Sequence, residues 1–321
     1  MEKHKMLYSI VVPVYNSAAT LDELYNRIKI EFETVIQEDF ELILVDDFSR
    51  DSSFAVIKRL SSMDERVKYI RLAKNHGQQK AVLCGIEHTK GDYIITLDDD
   101  FQHPPEEIPK LIEGMSANPE VDVVIGRYDS KKHNAVRRLG TKLLDILSQY
   151  TLGKNKNLKL TSFRLMKSFV ADNLADINLY SPTVGHCLLT VDESIINVAT
   201  HHEARKMGKS GYSPKKLVKN FMGIFYANTD LPLRIVGNIG TISFIASILL
   251  TIFYLAKYIS GDVRVSGWMT LVILVLLMNG LSLLSVGIIG RYLMLNIQEA
   301  KRLPKYSIKE KNLEKVRGKN E

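Results

Sequence analysis

The stretch Gly91 to Glu106, GDYIITLDDDFQHPPE, runs from a short apolar segment straight into three successive carboxylates and then a Pro-Pro pair. Tyr93 to Leu97 reads as a strand, and Pro105 to Ser116 as a helix, since a proline in the first helical turn gives up an N–H that has no partner there anyway. Upstream, Tyr8 to Val14 reads as a buried strand, Thr20 to Ile36 as a helix capped by Thr20, and Phe40 to Val45 as a strand. Ser52 to Ser62 follows as a helix, Val67 to Arg71 as a strand and Gln78 to Thr89 as a helix. This β-α-β-α succession predicts a doubly wound α/β fold with a mainly parallel sheet. Ligands of such sheets bind beyond the carboxyl ends of the strands. Here two strands end in acid, at Asp46-Asp47 and Asp98-Asp99-Asp100, so both ends are expected to face one crevice.

Val121 to Gly126 is a further strand, leading into a basic segment with Arg127, Lys131, Lys132, Arg137 and Arg138. Later, Lys215 to Tyr226 mixes apolar residues with Lys215, Lys216 and Lys219 before the breaker Leu231-Pro232, and it reads as an amphipathic helix lying on a membrane surface. An ordinary amphipathic helix packed on the sheet would carry the same pattern. Ile235 to Ala256 is a run of 22 residues without a charge, and Val265 to Gly290 another of 26. As helices they would cover about 30 to 40 Å, against a hydrocarbon core of about 30 Å.

The chain has 321 residues, 45% hydrophobic, with 43 Lys and Arg against 36 Asp and Glu, which excludes disorder, collagen and coiled coil. Cys84 and Cys187 are too few for a disulfide framework and too far apart for a zinc pattern, so a reducing cytosol is the expected compartment. No signal peptide is expected at the start. From Arg291 onward nine Lys or Arg face four Asp or Glu, so the tail is expected on the cytosolic side, and a short hairpin between the spans puts the N-terminal part there too. Anionic lipid headgroups account for such a tail without a nucleic-acid partner. The expected organisation is a cytosolic α/β domain over 1–212, a juxtamembrane helix over 213–232, two spans within 233–291, and a basic tail over 292–321.

Alternate residues of an extended chain point the same way, so Asp98 and Asp100 can share a divalent ion, and hard oxygen ligands favour Mg2+ or Mn2+. Such ions keep waters and bridge to substrate phosphates, which predicts a diphosphate-containing substrate. Alone, an acidic triplet also fits a solvated turn.

Asp98 to Glu106, DDDFQHPPE, resembles the hallmark of the family 2 glycosyltransferases that load a sugar onto a polyprenyl phosphate, with Phe101 in place of their Leu. The group includes dolichyl-phosphate mannose synthases and the bacterial undecaprenyl-phosphate sugar transferases, aminoarabinose transferases among them. The resemblance implies a GT-A type fold in which Asp98 and Asp100 handle metal and diphosphate and Gln102 completes the coordination. It extends over VPVYN at Val12 to Asn16 and DDFSRD at Asp46 to Asp51. Pro13, Tyr15 and Asp47 then look like base and ribose contacts, with Asn16, Asp46 and Asp99 on the same donor side; an aromatic ring offers a stacking face and a carboxylate accepts hydrogen bonds. Arg127, Arg137 and Arg138 resemble positions that hold the lipid phosphate, which guanidinium groups suit through paired hydrogen bonds. In HHEARKMGKSGYS, from His201, Arg205 resembles a residue that neutralises charge on the diphosphate or acceptor, while His201 and His202 read as structural.

Two departures stand out. Many relatives carry Gly-Asp-Phe-Arg where this chain has Thr161-Ser162-Phe163-Arg164, so the carboxylate often proposed as base is Ser162 here, on the acceptor side; and Gly211 replaces a common lysine. A phosphate monoester has a second pKa of about 6, so a phosphate acceptor needs little help from a base. The expected activity is inverting transfer of a sugar from a nucleotide-diphosphate sugar, a UDP-sugar, to undecaprenyl phosphate at the inner (plasma) membrane, with both termini cytoplasmic. By resemblance the protein is a homo-oligomer, a tetramer. The rivals are a processive polysaccharide synthase, whose Gln-x-x-Arg-Trp motif is missing because the one tryptophan is Trp268, and an inactive membrane scaffold, to which only Ser162 and Gly211 lend support.

Overall fold

The structure is a computed structural model in which residues 5–127, 158–177, 183–192, 194–201, 231–260, 267–300, 304–314 and 316–317 are described. The chain divides into two compact units, Met1–Pro214 with Pro304–Glu321, and Lys215–Leu303.

The first unit is built on an eight-stranded sheet: β1 Leu7–Val14, β2 Asp39–Asp46, β3 Val67–Leu72, β4 Tyr93–Thr96, β5 Val123–Arg127, β6 Arg164–Lys167, β7 Ile195–Ala199 and β8 Ile308–Lys311. Their spatial order is β7-β5-β6-β4-β1-β2-β3-β8. β4, β1, β2 and β3 are mutually parallel, and β5 is parallel to β7. β6 runs antiparallel to both β4 and β5, and β8 antiparallel to β3. The sheet is thus mainly parallel, as the sequence predicts, with two reversed strands that local pattern does not foretell.

Its helices are α1 Leu21–Ile30, α2 Ser53–Met63, α3 Gln78–Ile86, α4 Ile108–Ala117, α5 Ser168–Asp176 and α6 Val184–Val191. Period-two alternation sorts the strand side chains: Ile10, Val12 and Val14 meet α1, α2 and α4 in one core, while Val11, Ile43 and Val45 meet α3, α5 and α6 in the other. Both faces are covered, which is why these strands read as continuous apolar runs.

Two local expectations are corrected. Thr20 does not cap α1: it already has helical φ −103° and ψ −20°, and its hydroxyl donates back to the Ser17 carbonyl at 3.0 Å. The helix does run to Ile36 as expected, its last part a π-helical turn over Glu31–Ile36 closed by Gln37 in the left-handed conformation. The basic tail likewise differs from its reading as a lipid-facing extension, because Pro304–Glu321 belongs to the first unit and contributes β8.

In the second unit, two long helices are described, α7 Leu231–Ile259 and α8 Trp268–Ala300, which contain the two uncharged runs apart from Val265 to Gly267. Counted over the described residues alone, no helix is long and apolar enough to cross a membrane. The helix expected over 215–226 lies outside the described residues.

Candidate active site

Parallel pairing brings the carboxyl ends of β1, β2 and β4 to one edge, with Val14 beside Asp46 and Val11 beside Thr96. The reversed direction of β6 puts the residues preceding it at that same edge, with Arg164 registered against Thr96. The two acidic strand ends therefore do meet, together with Tyr15, Asn16 and Ser162; Arg127 closes β5 at this edge.

Asp98 is held from two sides. The Gln78 amide donates to its Oδ1 at 2.6 Å, and the Ser162 hydroxyl to its Oδ2 at 2.5 Å. Burial is the largest influence on this carboxyl and pushes its pKa above the ordinary value; Asp100 adds to the rise, while Ser162, Arg164 and Gln78 oppose it. Asp99 is pushed up to about 6, chiefly by burial and then by Asp98 and Asp100, against hydrogen bonds from the Ser17 hydroxyl and the Tyr15 N–H. Its Oδ2 is buried without a hydrogen-bond partner. Behind the triplet lies Arg164, 5% exposed, whose guanidinium burial pulls down to about 10 while Asp98 works the other way.

The turn after the triplet is fixed by packing. Phe101 is fully buried at φ +60°, a conformation costly for a bulky residue, and Arg27 stacks over its ring at 4.9 Å while gripping Glu106 at 2.8 and 2.6 Å. The His103 ring stacks on Phe163 at 5.2 Å, which ties this turn to the Ser162 segment. The Gln102 N–H donates to Asp100 Oδ1 at 3.1 Å.

On the other side of the edge, Tyr15 is 46% exposed and free to present its ring, and Pro13 is buried in β1. Asn16, at φ 54°, accepts from the Arg50 N–H at 2.8 Å, so the loops after β1 and β2 are sewn together. Asp46 is fully buried, accepting from the Ser49 N–H and lying 3.2 Å from Arg71 Nε. Asp47, expected at the nucleotide, engages both oxygens with its own scaffold: Oδ1 accepts from the His76 N–H at 2.6 Å and Oδ2 from the Gly77 N–H at 2.8 Å. Burial raises its pKa, the two N–H donors oppose this, and Asp46 adds to it. Ser162, expected at the acceptor phosphate, has its hydroxyl on Asp98. Arg205, Arg137 and Arg138 lie outside the described residues.

The sequence alone assigns no role to Gln78, Arg164 or His103. Arg164 and His103 lie inside the quoted Thr161 to Arg164 and Asp98 to Glu106 stretches and Gln78 opens the expected helix Gln78 to Thr89, so position in those motifs is the available signal.

The residues present suit a divalent ion in donor type, since Asp98 and Asp100 offer hard oxygens in a cluster where burial, and after it the neighbouring carboxylates, raises Asp98 and Asp99. Among the described residues no group of three or more His, Cys, Asp or Glu is placed to hold a metal. Two carboxylates would have to be supplemented by oxygens of the substrate and water.

A mainly parallel sheet with a carboxylate cluster at a strand end, flanked by the polar loops after β1 and β2, fits the class of nucleotide-sugar transferases. The comparisons make this specific: the sequence profile of glycosyl transferase family 2 matches residues 9–174, and the chain belongs to that family. It is a glycosyltransferase. It is 31% identical to the uncharacterized glycosyltransferase YkcC of Bacillus subtilis, over 96% of this chain and 94% of that one. It is 30% identical to an undecaprenyl-phosphate 4-deoxy-4-formamido-L-arabinose transferase of Pseudomonas paraeruginosa, over 94% and 89% of the two chains. Among solved structures, glucosyl-3-phosphoglycerate synthase of Mycobacterium tuberculosis with Mn2+, UDP-glucose and phosphoglyceric acid shares the fold at TM-score 0.51 and 16% identity, covering 70% of this chain and 78% of that one. Mannosyl-3-phosphoglycerate synthase of Rubrobacter xylanophilus matches at TM-score 0.51 and 16% identity, over 74% and 75%.

Proposed function

We propose that this glycosyltransferase moves a sugar from a nucleoside-diphosphate sugar, a UDP-sugar, to the phosphate of a polyprenyl carrier, undecaprenyl phosphate, with inversion at the anomeric carbon. The single observation that carries the acceptor class is the Ser162 to Asp98 hydrogen bond of 2.5 Å. At the position where relatives resembling this chain carry a carboxylate, this chain has a hydroxyl, and that hydroxyl donates to the acidic cluster. A sugar hydroxyl would need its proton removed; a phosphate monoester, with a second pKa of about 6, is already largely a dianion. The 28–30% identical relatives named for undecaprenyl-phosphate substrates support the same choice.

In the reaction, an acceptor phosphate oxygen forms the new bond to the anomeric carbon as the bond from that carbon to the donor's diphosphate oxygen breaks, and the nucleoside diphosphate departs with the electron pair. Asp98 and Asp100 would hold Mg2+ or Mn2+, which when bound supplies charge neutralisation for the leaving diphosphate. Gln78 and Ser162 orient Asp98, and Arg164 offsets part of its charge from behind. Tyr15 offers a stacking face to the base, and Arg127 a cation to the acceptor phosphate.

The acceptor's isoprenoid chain needs a bilayer. Helices α7 and α8, which hold an uncharged run of 22 residues and 23 of the next 26, with exposed apolar side chains such as Ile242 at 67% and Leu283 at 72%, support placement across the inner (plasma) membrane with the catalytic unit in the cytoplasm.

The test is transfer of radiolabelled sugar from a panel of nucleotide sugars into organic-extractable lipid, with the purified full chain, undecaprenyl phosphate and Mg2+ or Mn2+. One donor is expected to label the lipid, and Asp100→Ala or EDTA to abolish labelling. Label passing only to a water-soluble acceptor such as phosphoglycerate, or no transfer from any donor, would overturn the assignment.

A further inference from the structure

The segment that returns to the first unit after α8 does more than lengthen the sheet. β8 pairs antiparallel with β3, Ile70 against Lys311 and Arg71 against Glu310, and Asn312 accepts from the Tyr69 N–H at 2.6 Å. Beyond it, Arg317 is 8% exposed and its guanidinium donates to the Thr89, Gly91 and Ser168 carbonyls, to the Thr89 hydroxyl and to Asp172, at 2.7 to 3.1 Å. Before it, Lys305 binds Glu87 at 3.0 Å and the Tyr306 hydroxyl donates to the same carboxylate. An anchorage of this kind, with a fully engaged buried arginine at one end and an ion pair at the other, is rigid.

Between the anchors lies Ser307. Its carbonyl accepts from the Ala73 N–H at 2.7 Å, and its N–H donates to His76 Nε2 at 3.2 Å, with the Ser307 hydroxyl 3.2 Å from the same nitrogen. A backbone N–H can only donate, so Nε2 is the acceptor and the ring is neutral with its proton on Nδ1. Burial, with Lys74 and Lys80 nearby, favours that neutral ring. From His76 the chain goes directly to the site. The N–H groups of His76 and Gly77 are clamped by Asp47, Gly77 turns at φ +89°, and Gln78 reaches Asp98 at 2.6 Å.

We propose that the return segment is a positioning strap for the donor site: Ser307, through the His76 ring, holds residues 73–78 from outside while Asp47 holds them from the sheet, and the two together aim Gln78 at Asp98. Neither Ser307 nor His76 touches substrate; both act through Gln78. The proposal rests on the donor-site reading above.

The test uses the full chain with His76→Phe, which keeps a ring but removes the acceptor, Ser307→Pro, which removes the donor, and His76→Gln, whose amide oxygen can accept again. Two readouts are made: donor KM and kcat with the nucleotide sugar that labels lipid, and hydrogen exchange of residues 73–80 without any ligand. Losing one neutral hydrogen bond corresponds to a change of about fivefold. His76→Phe and Ser307→Pro are expected to raise donor KM by about that factor and to speed exchange in 73–80 comparably, with the melting temperature lowered by no more than about 2 to 4 °C, and His76→Gln to restore both relative to His76→Phe. Unchanged KM and exchange in both variants, or a fall in melting temperature alone, would overturn the strap. If the unmodified chain transfers no sugar, the transferase assignment fails by itself, and the exchange arm still decides whether Ser307 holds the loop.

Discussion

Gly85 lies in α3 where the helix crosses β1, and a Cβ there would come within 2.3 Å of Val11 Cγ1 and 3.1 Å of Val45 Cγ2. Two effects of Gly85→Ala compete. Alanine is the better helix former by about 1 kcal/mol. Against this, carbon atoms pack at about 3.5 Å or more, so the contact with Val11 demands a displacement of about 1.2 Å in a core that resists it, at a cost of about 1 to 3 kcal/mol. Val11 is paired on both sides, to β2 and β4, and cannot yield, so α3 must move. With the steric cost near its upper value, the net loss is about 2 kcal/mol, or about 4 to 8 °C in melting temperature for a unit of this size. Because α3 begins at Gln78, the same displacement withdraws the amide from Asp98, and donor KM is expected to rise with the loss of stability. The assay is thermal unfolding of Gly85→Ala, Val11→Ala and the double variant, alongside donor KM. Shortening Val11 vacates the space that the new methyl needs, so the double variant should be about 3 kcal/mol more stable than the sum of the singles predicts, the relieved steric cost. A neutral or stabilised Gly85→Ala, or additive singles, would refute the steric account and leave helix propensity as the governing effect.

Asp47→Asn replaces one acceptor oxygen by a donor against a backbone N–H; exchange of the His76 and Gly77 amides should accelerate about 30-fold without ligand, for a loss of about 2 kcal/mol, whereas unchanged exchange would return Asp47 to a direct nucleotide role. Ser162→Ala removes a donor from Asp98 and lets burial raise that carboxyl further; transfer activity should fall and its acidic limb shift to higher pH, and an unmoved limb would count against the Asp98 clamp. Asp64, lowered to about 2 by Arg66 foremost, with Tyr25 assisting, contributes stability that is present above its unfolded value of 3.8 and lost as pH falls through about 2. Screening leaves about 1 to 2 kcal/mol of this, so Asp64→Asn should lower the melting temperature at pH 7 and lower it much less near pH 2; equal shifts at both would contradict the linkage.

Much of the central sheet is legible in sequence because β1, β2 and β4 are buried on both faces and appear as uninterrupted apolar runs that end at Tyr15, Asp46 and Asp98. β6 and β8 are not, for different reasons. Arg164–Lys167 carries two cations in four residues and joins β4 to β5 across a stretch of chain that gives no hint of partnership. Ile308–Lys311 is a short charged strand of the kind that caps a sheet edge, and charge alone reads as solvated tail. The acidic cluster was visible as composition, but its control was not. Ser162 and Gln78 lie 64 and 20 residues from Asp98 in sequence, and only the fold turns them into its two donors. Asp47 is read from its motif for a ligand contact, and only the fold shows that it also clamps the loop at His76 and Gly77.

Pairing of β8 with β3 also sets a schedule for folding. The Tyr69 to Asn312 hydrogen bond closes a separation of 243 residues, with the whole second unit lying between the partners. At about 5 to 20 residues per second of synthesis, the outer edge of β3 stays open for roughly 12 to 50 s after it emerges from the ribosome. An open edge is a template for foreign strands. The donor loop cannot receive Ser307 until the second unit has been made, so full catalytic competence arrives only with the last part of the sheet.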